Sequence, residues 1–543
     1  MQTACHDPGS STGAEMVRKV MSRSSLDAWG DLTVGLPCPS EMMSEKSFAQ
    51  LHRNLCSPEG SKDACPNPVL TPNFRQTIVL RVPRGENKPH LCHDRVERNI
   101  SRLVRNLRPK SAMTVRRLVA KKDFPMRSKK TFLELIVLFA IFTTTALVTA
   151  TASDAPQVKI LHSFSGSGKD GANPNSSLIF DTAGNLYGTT VKGGAYGYGM
   201  VFELTRQASG GWTEKVVHNF NGADGANPYA SLTLDTAGNL YGTTVNGGAN
   251  NYGTVFELKP KVGRGWIEKI YSFDGTGGQY PYAGIVLDAA GNLYGAAAYG
   301  GTGACSSQGI LGCGTVFELE PGTSGGWTEK ALHNFNGTDG ANPYASLIFD
   351  TAGNLYGTTA NGGTGPCPDG CGAVFELTPE ASGEWTEAVP YSFDGYDGGG
   401  SFASLVLDAM GNLYGTTPAG GGGHGQVFEL TPMAGGTWTE TELATFVKNN
   451  CGAFPYAGVI FDASGNLYGT TPDLGPYYVG TVFKVTPNTT GGWTVNVSHH
   501  FRQNLVDGSD PHGGLIFDGA GNLYGTTYYG GVHGDGTVFE IKP

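Results

Sequence analysis

The chain has 543 residues, of which 82 are glycine and only 15% are charged. Residues 1–125 contain 20 Lys and Arg against 12 Asp and Glu, whereas residues 153–543 contain 14 against 34. Nucleic-acid binding needs clustered cations, so the long acidic part is predicted to have no nucleic-acid partner.

A secretory signal peptide is predicted at residues 126–152. Residues 126–130 are basic, residues 132–150 are almost entirely apolar, and Ala150-Thr151-Ala152 matches the small-residue pattern that signal peptidase accepts. The alternative is an N-terminal membrane anchor at residues 131–150, because about 19 apolar residues can just cross a hydrocarbon core of ~30 Å.

Residues 1–125 stand before this signal, although a signal peptide belongs at the N-terminus. We therefore expect translation to start at Met126 and residues 1–125 to be a disordered or misassigned upstream extension. Their Arg-rich sequence with scattered cysteines and no periodicity fits this expectation. Both interpretations of residues 126–152 predict that the rest of the chain is secreted, periplasmic or on the cell surface.

From residue 153 onward, a unit containing Asp-x-x-Gly-Asn-Leu-Tyr-Gly recurs seven times. Its aspartates are Asp181, Asp235, Asp288, Asp350, Asp408, Asp462 and Asp518. Each of the first six units holds four short β-type runs, which in the second unit are residues 231–235, 239–244, 254–258 and 266–273. The pattern predicts an all-β, seven-bladed β-propeller of four-stranded blades over residues 153–543, in preference to a β-solenoid with shorter and more even coils.

The order of the runs predicts how the ring closes. The run before each repeated aspartate is expected to be the inner strand, and the run that begins with Trp the outer strand. The seventh unit stops after its third run, and an unassigned outer-type run at residues 158–164 precedes the first unit. We predict that this N-terminal outer strand completes the last blade, which leaves no open sheet edge.

The repeated segments carry a family resemblance. Gly-Asn-Leu-Tyr-Gly-Thr-Thr, the Gly-Gly that follows it and Gly-Thr-Val-Phe-Glu-Leu resemble the GloVer-type tandem repeat of bacterial "choice-of-anchor" proteins over about residues 158–543. The aspartate element is distantly similar to NHL and SMP-30-like β-propellers. The resemblance implies an exported bacterial protein of uncharacterised role, often with a C-terminal anchor. Since no sorting segment follows the last repeat, an anchor is expected only from the N-terminal segment.

In each unit, one residue that lies shortly before the predicted inner strand is expected near the central channel, on the face away from the aspartate turns. These residues are Asn175, Tyr229, Tyr282, Tyr344, Phe402, Tyr456 and His512. Aromatic side chains with polar tips can stack on sugar rings or peptide side chains. All but Asn175 are therefore candidate ligand-binding residues, with packing against the neighbouring blade as the alternative.

Four cysteines lie in two corresponding loops, Cys305 and Cys313 in the third unit and Cys367 and Cys371 in the fourth. Outside the cytoplasm, the simplest expectation is two local disulfides, Cys305–Cys313 and Cys367–Cys371. A four-thiolate zinc site is the alternative. Cys451 is expected to be a single thiol.

Polar residues that recur regularly are interpreted as structural, in turns and in packing. They are His218 and His333 in outer strands, Asp170, Asp224, Asp339 and Asp397 in Asp-Gly pairs, and the Trp-Thr-Glu triplets that begin at Trp212, Trp327, Trp385 and Trp438. Asp-Gly is typical of turns, with cation binding as the alternative. A catalytic group should instead break the repeat, and His512 with His533 is the candidate catalytic pair.

The sequence thus predicts an exported, non-enzymatic β-propeller that binds glycan or protein ligands or acts as a scaffold. The alternative is an extracytoplasmic carbohydrate-active or lyase-type propeller enzyme. A monomer is expected, with no cofactor and no resident metal. Contact with a membrane is expected only through residues 131–150, if they are not cleaved.

Overall fold

The computed structural model describes residues 157–542, except residues 264, 308–309, 324, 447–451, 490 and 503–506. The predicted extension at residues 1–125 and the predicted export segment at residues 126–152 lie outside the described residues. Within the described part, no helix is long and apolar enough to span a membrane.

Seven four-stranded antiparallel sheets form blades 1 to 7 of a β-propeller, as the repeats predict. The inner strands are Ile179–Phe180, Thr233–Leu234, Val286–Leu287, Ile348–Phe349, Val406–Leu407, Ile460–Phe461 and Ile516–Phe517. The second strands are Leu186–Thr190, Leu240–Thr244, Leu293–Ala297, Leu355–Thr359, Leu413–Thr417, Leu467–Thr471 and Leu523–Thr527.

The two remaining strands of each blade form its longer, outward half. The third strands are Met200–Arg206, Thr254–Pro260, Thr315–Pro321, Ala373–Pro379, Gln426–Pro432, Thr481–Pro487 and Thr537–Lys542. The outer strands of blades 1 to 6 are Trp212–Asn219, Trp266–Ser272, Trp327–Asn334, Trp385–Ser392, Trp438–Thr445 and Trp493–His500. Short ribbons in the loops pair Gly171–Ala172 with Lys192–Gly193, Ser306–Ser307 with Ile310–Leu311, and Gly508–Ser509 with Tyr529–Gly530.

The outer strand of blade 7 comes from the N-terminal side of the propeller. Gln157–Ser163 pairs antiparallel with Thr537–Lys542, and the register runs from Gln157 opposite Lys542 to Ser163 opposite Thr537. Phe164 follows the strand, and its N–H donates to the carbonyl of Gly536 at 3.0 Å. The prediction that an N-terminal strand completes the last blade is therefore confirmed.

The core lies between the blades and repeats with them. In blade 4, Gly357 stands opposite Phe375 in the sheet, and a Cβ at Gly357 would lie 2.5 Å from Cζ of that ring. Phe375 also packs edge-on against Phe335, which follows the outer strand of blade 3, with ring centroids 5.0 Å apart. Both rings are fully buried. The glycine of each Leu-Tyr-Gly segment therefore makes room for the phenylalanine that joins two blades.

Threonine hydroxyls on the second strands bind the segments that lead into the next inner strand. Thr243 donates to the carbonyl of Ala283 at 2.8 Å, and Thr526 donates to the carbonyl of Ser176 at 2.9 Å, which crosses from blade 7 to blade 1. Blade 3 has Ala296 at this position and cannot make the bond. Buried hydroxyls without partners are costly, so these bonds help to fix the spacing of the inner strands around the channel.

The repeated aspartates cap their own turns, as the sequence predicts. Asp235 Oδ1 accepts the N–H groups of Ala237 at 2.9 Å and Asn239 at 2.8 Å, and Oδ2 accepts the Asn239 amide at 2.7 Å. Burial acts to raise the pKa of Asp235, but hydrogen bonds from Asn239, Tyr241 and Ala237 outweigh burial and lower it. The turns therefore form a rigid, repetitive face opposite the candidate site.

Candidate functional site

The predicted ring residues line one cavity of about 360 Å³ at the mouth of the central channel. Neighbouring rings are in contact around the mouth. Their centroid distances are 5.4 Å for Tyr229–Tyr282, 5.0 Å for Tyr282–Tyr344, 5.1 Å for Tyr344–Phe402, 5.6 Å for Phe402–Tyr456 and 5.8 Å for Tyr456–His512. Asn175 lines the same cavity, so the structure brings all seven predicted positions together.

A repeated backbone turn places each ring residue. In six blades a proline comes directly before the ring residue. The residue before that proline has a left-handed backbone conformation, as Asn342 does with φ 58°. Asparagine tolerates this conformation, and the Asn342 amide donates to the carbonyl of Ala298 in the preceding blade at 2.9 Å. Pro343 then packs on Gly314, where a Cβ would lie 2.5 Å from the proline Cδ. Contacts with the preceding blade therefore fix the position of Tyr344.

The cavity lining is uncharged. Among the described residues that line it there is no Asp, Glu, Lys or Arg. Burial raises the pKa of Tyr282 to about 12, so its phenol stays neutral. Burial also raises the pKa of Tyr344, whose hydroxyl lies 3.0 Å from that of Tyr299. Burial lowers the pKa of His512, with Asp473 opposing the shift. The mouth therefore offers aromatic faces, neutral hydroxyls and an imidazole.

Comparison with known families identifies the repeat. A family model described as the Gloeobacter/Verrucomicrobia repeat matches residues 143–364, 303–446 and 366–543. The chain belongs to the Gloeobacter/Verrucomicrobia repeat family. The resemblance to the GloVer-type tandem repeat is thereby confirmed. A comparison with curated proteins found no match.

The two histidines of the candidate catalytic pair have different surroundings. In this Gloeobacter/Verrucomicrobia repeat protein, His512 is partly buried and its ring contacts Tyr456 and Tyr528. His533 is exposed in the loop before the third strand of blade 7. No hydrogen bond or ring contact joins the two histidines in the described part of the chain. Their catalytic role stays a prediction.

The four loop cysteines form two local disulfides. Cys305 is bonded to Cys313, with Cα atoms 4.9 Å apart, and Cys367 is bonded to Cys371, with Cα atoms 5.2 Å apart. All four sulfurs are therefore used, and none of them is a thiolate that could bind zinc. Cys451 lies outside the described residues.

A second group of polar side chains meets in the cleft between blades 1 and 2. His218 Nε2 lies 3.4 Å from Asp224 Oδ2 and 3.1 Å from Glu268 Oε1. Asp224 also accepts the N–H of Asn221 at 2.8 Å, so it caps a turn as well. In the sequence these three side chains belong to separate features, namely an outer strand, an Asp-Gly turn and the next outer strand, which begins with Trp.

The same arrangement recurs between blades 3 and 4. His333 Nε2 lies 3.1 Å from Asp339 Oδ2, and Glu387 completes a group whose ligand atoms all lie within 4.8 Å of one another. Burial, with a smaller effect of Asp339, raises the pKa of Glu387 to about 7. The sequence contains a pattern that both groups share. Asp224 and Asp339 each follow, by four residues, the phenylalanine that comes after an outer strand. Glu268 and Glu387 each lie near the start of the next outer strand.

A half-buried glutamate between blades 4 and 5 predicts a pH-dependent stability. Burial, with Asp397, Glu442 and Asp394, raises the pKa of Glu440 from 4.5 to about 7. The folded state binds the carboxyl proton of Glu440 more tightly than the unfolded state does. Glu440 therefore contributes to the stability of the fold fully at pH values below about 4.5, and this contribution is lost as the pH rises through about 7. We expect Glu440→Gln to raise the melting temperature above pH 7, and the difference from the parent to shrink towards pH 4.5.

Thermal unfolding between pH 4.5 and about pH 8.5 measures this effect. Glu384→Gln, which removes a carboxylate at an exposed position of blade 4, serves as the control and should change the melting temperature less than Glu440→Gln does. A difference between Glu440→Gln and the parent that stays constant across this range would contradict the prediction.

Proposed function

We propose that this Gloeobacter/Verrucomicrobia repeat protein is an extracytoplasmic, non-enzymatic binding module that recognises a neutral glycan at the channel mouth. The observation that carries the proposal is the distribution of exposed tyrosines. The exposed tyrosines of the described chain are Tyr196, Tyr198, Tyr396, Tyr477, Tyr478 and Tyr529. Each lies in a connection on the same face as the channel-mouth ring.

The opposite face has a different character. Its loops contain the capped aspartate turns and the hairpins between third and outer strands, where the exposed apolar residues include Met410 and Met433. Tyrosine combines a flat apolar ring with a hydroxyl that donates and accepts hydrogen bonds, which suits the alternating apolar and polar surfaces of a sugar. The concentration of tyrosine on one face therefore supports carbohydrate recognition there.

The chemistry of the cavity favours a neutral ligand. The described lining holds no charged side chain, and residues 153–543 carry 14 Lys and Arg against 34 Asp and Glu, which disfavours acidic glycans. A volume of about 360 Å³ is at the small end of the range for ligand sites, about 300–1,000 Å³. A sugar unit at the end of a chain would enter the mouth, and further units would lie across the exposed tyrosines.

Two features support a place outside the cytoplasm. Residues 126–152 have the layout of a secretory signal or anchor. The disulfides Cys305–Cys313 and Cys367–Cys371 are typical of an oxidising compartment. Neutral polysaccharides are accessible ligands in that location.

The test is a binding screen of the purified full chain against neutral and acidic glycans. We expect binding to neutral glycans, and at least a tenfold loss of affinity when Phe402 and Tyr456 are both changed to alanine. Removing two stacking rings from a binding site commonly costs more than about 1.4 kcal/mol, which corresponds to tenfold.

The matched control changes Met410 and Met433 to alanine, which removes exposed apolar side chains of blade 5 from the opposite face. This variant should bind as the parent does. Equal losses in both variants, or a parent that binds only acidic glycans or none, would contradict the proposal. Melting temperatures of both variants distinguish a loss of binding from a loss of fold.

A further inference from the structure

We propose that the two His-Asp-Glu clusters, His218–Asp224–Glu268 and His333–Asp339–Glu387, each bind a divalent transition-metal ion, with Zn²⁺ as the best fit. These clusters lie in the clefts between blades, among the outer strands, and not in the lining of the channel mouth. The inference therefore goes beyond the proposed glycan binding and does not depend on it.

The spacing of the ligand atoms fits a tetrahedral ion. Zn²⁺ binds nitrogen and oxygen at about 2.0–2.1 Å, which separates ligand atoms in a tetrahedron by about 3.3 Å. In the first cluster, Nε2 of His218 lies 3.4 Å from the Asp224 oxygen and 3.1 Å from the Glu268 oxygen. All three ligand atoms of each cluster lie within 4.8 Å of one another, so small side-chain movements would complete the coordination.

Three side-chain atoms of the two clusters make no hydrogen bond among the described residues. His218 Nε2, Glu268 Oε1 and Glu387 Oε1 are buried atoms that make no hydrogen bond in the described structure. Buried polar atoms in native proteins are normally paired. Glu214 Oε1, Glu329 Oε1 and His499 Nε2 at other junctions are also unpaired, so the two proposed sites are distinguished by three ligand atoms within 4.8 Å of one another. A cation between them would satisfy the nitrogen lone pair and both carboxylates.

The aspartates are held in position by neighbouring asparagines. The Asn221 amide donates to Asp224 Oδ2 at 2.6 Å, and the Asn336 amide donates to Asp339 Oδ2 at 2.7 Å. Hydrogen bonds of this kind orient metal-binding carboxylates in known sites.

Four other junctions between blades lack one or more of the three residue types, and two of them show how. Between blades 2 and 3, Tyr271 replaces the histidine and donates to Glu329 Oε2 at 2.6 Å, while Gly277 replaces the aspartate. Between blades 6 and 7, His499 lies 3.4 Å from Asp507, but Val158 stands at the glutamate position.

The junction between blades 7 and 1 has all three residue types in a different arrangement. His162 Nε2 lies 3.4 Å from Asp170 Oδ1, and Glu214 stands at the glutamate position. Here the Asp170 Oδ2 atom accepts the N–H and the hydroxyl of Ser165, both at 2.8 Å, and no asparagine amide takes part. Among the described residues, the groups whose three ligand atoms all lie within 4.8 Å are the two proposed sites.

The ligand types select the class of ion. One imidazole nitrogen with two carboxylate oxygens suits Zn²⁺, whereas Mg²⁺ and Ca²⁺ prefer sites made of oxygen alone. Three protein ligands leave a fourth position for water. Because the ligands of each site come from two adjacent blades, a bound ion would join those blades.

Zinc bound to the full chain is measured by elemental analysis after removal of metal with EDTA and dialysis against ZnCl₂. We expect His218→Gln and His333→Gln each to lower the bound zinc by one equivalent, and the double variant by two. His499→Gln is the matched control and should leave the amount unchanged. Differences between variants isolate these sites from any other zinc bound elsewhere on the chain.

Glu268→Gln and Glu387→Gln form a second pair of variants in case a histidine variant does not fold, and melting temperatures in EDTA show which variants fold. With Co²⁺ in place of zinc, the parent should show the visible absorption of tetrahedral cobalt, and the double histidine variant should lose it. Equal zinc in the parent and the double variant would overturn the proposal, as would an equal loss in His499→Gln. Variants that lose zinc but bind glycan as the parent does would show that the metal sites and the proposed glycan binding are independent.

Discussion

Deleting residues 157–164 from the full chain is expected to abolish cooperative unfolding of the propeller. These residues supply the outer strand of blade 7 and the fully buried ring of Phe164, which packs edge-on against Phe202 of blade 1 at 5.1 Å. Burying one such side chain contributes about 1.5–3 kcal/mol, and Ile160 and Leu161 are also packed against the core. The combined loss, about 5 kcal/mol or more, approaches the stability of a typical domain.

Urea unfolding and size-exclusion chromatography measure this effect. The deletion also exposes the edge of Thr537–Lys542, so aggregation is expected. Lys159→Ala serves as the control because Lys159 is exposed on the same strand, and a change within about 0.5 kcal/mol is expected there. A synthetic peptide of residues 157–164 should restore the folded form of the deletion variant. A deletion variant that unfolds cooperatively at the parent's midpoint would contradict the prediction.

Ring closure could be predicted from sequence because it follows from the number of predicted strands. An incomplete seventh unit and an unassigned outer-type run at residues 158–164 leave one arrangement in which every strand has a partner. The channel-mouth ring could be predicted for a similar reason. Residues at equivalent positions of all blades must form a ring, because the blades are arranged around a central channel. Tyr344 and Phe402, for example, occupy equivalent positions and are in contact.

The His-Asp-Glu clusters could not be predicted in the same way. His218 and Glu268 belong to different units and meet only because blades 1 and 2 pack side by side. Each residue alone fits a common local role, and the periodicity of one unit carries no information on contacts between units. Finding the clusters requires that the three positions be followed together from one junction to the next, where His333, Asp339 and Glu387 repeat the arrangement.

Gly357→Ala is expected to destabilise the propeller by about 2–3 kcal/mol, because added volume in a packed core forces its neighbours to move. A Cβ there would lie 2.5 Å from Cζ of Phe375 and 3.0 Å from Cδ2 of Leu347. Neither neighbour can retreat easily, because both are fully buried and Phe375 also packs against Phe335. Urea unfolding of the two proteins measures the difference.

A double-mutant cycle tests whether the phenylalanine ring is the cause. Phe375→Leu removes the ring atoms that the new Cβ would meet, so Gly357→Ala should cost at least about 1 kcal/mol less in that background. Gly326→Ala is the control, because Gly326 is exposed and a Cβ there would meet no atom within 4 Å. It should change the free energy of unfolding by no more than about 0.5 kcal/mol. Additive effects of the two substitutions would show that Gly357 is required for some reason other than the ring of Phe375.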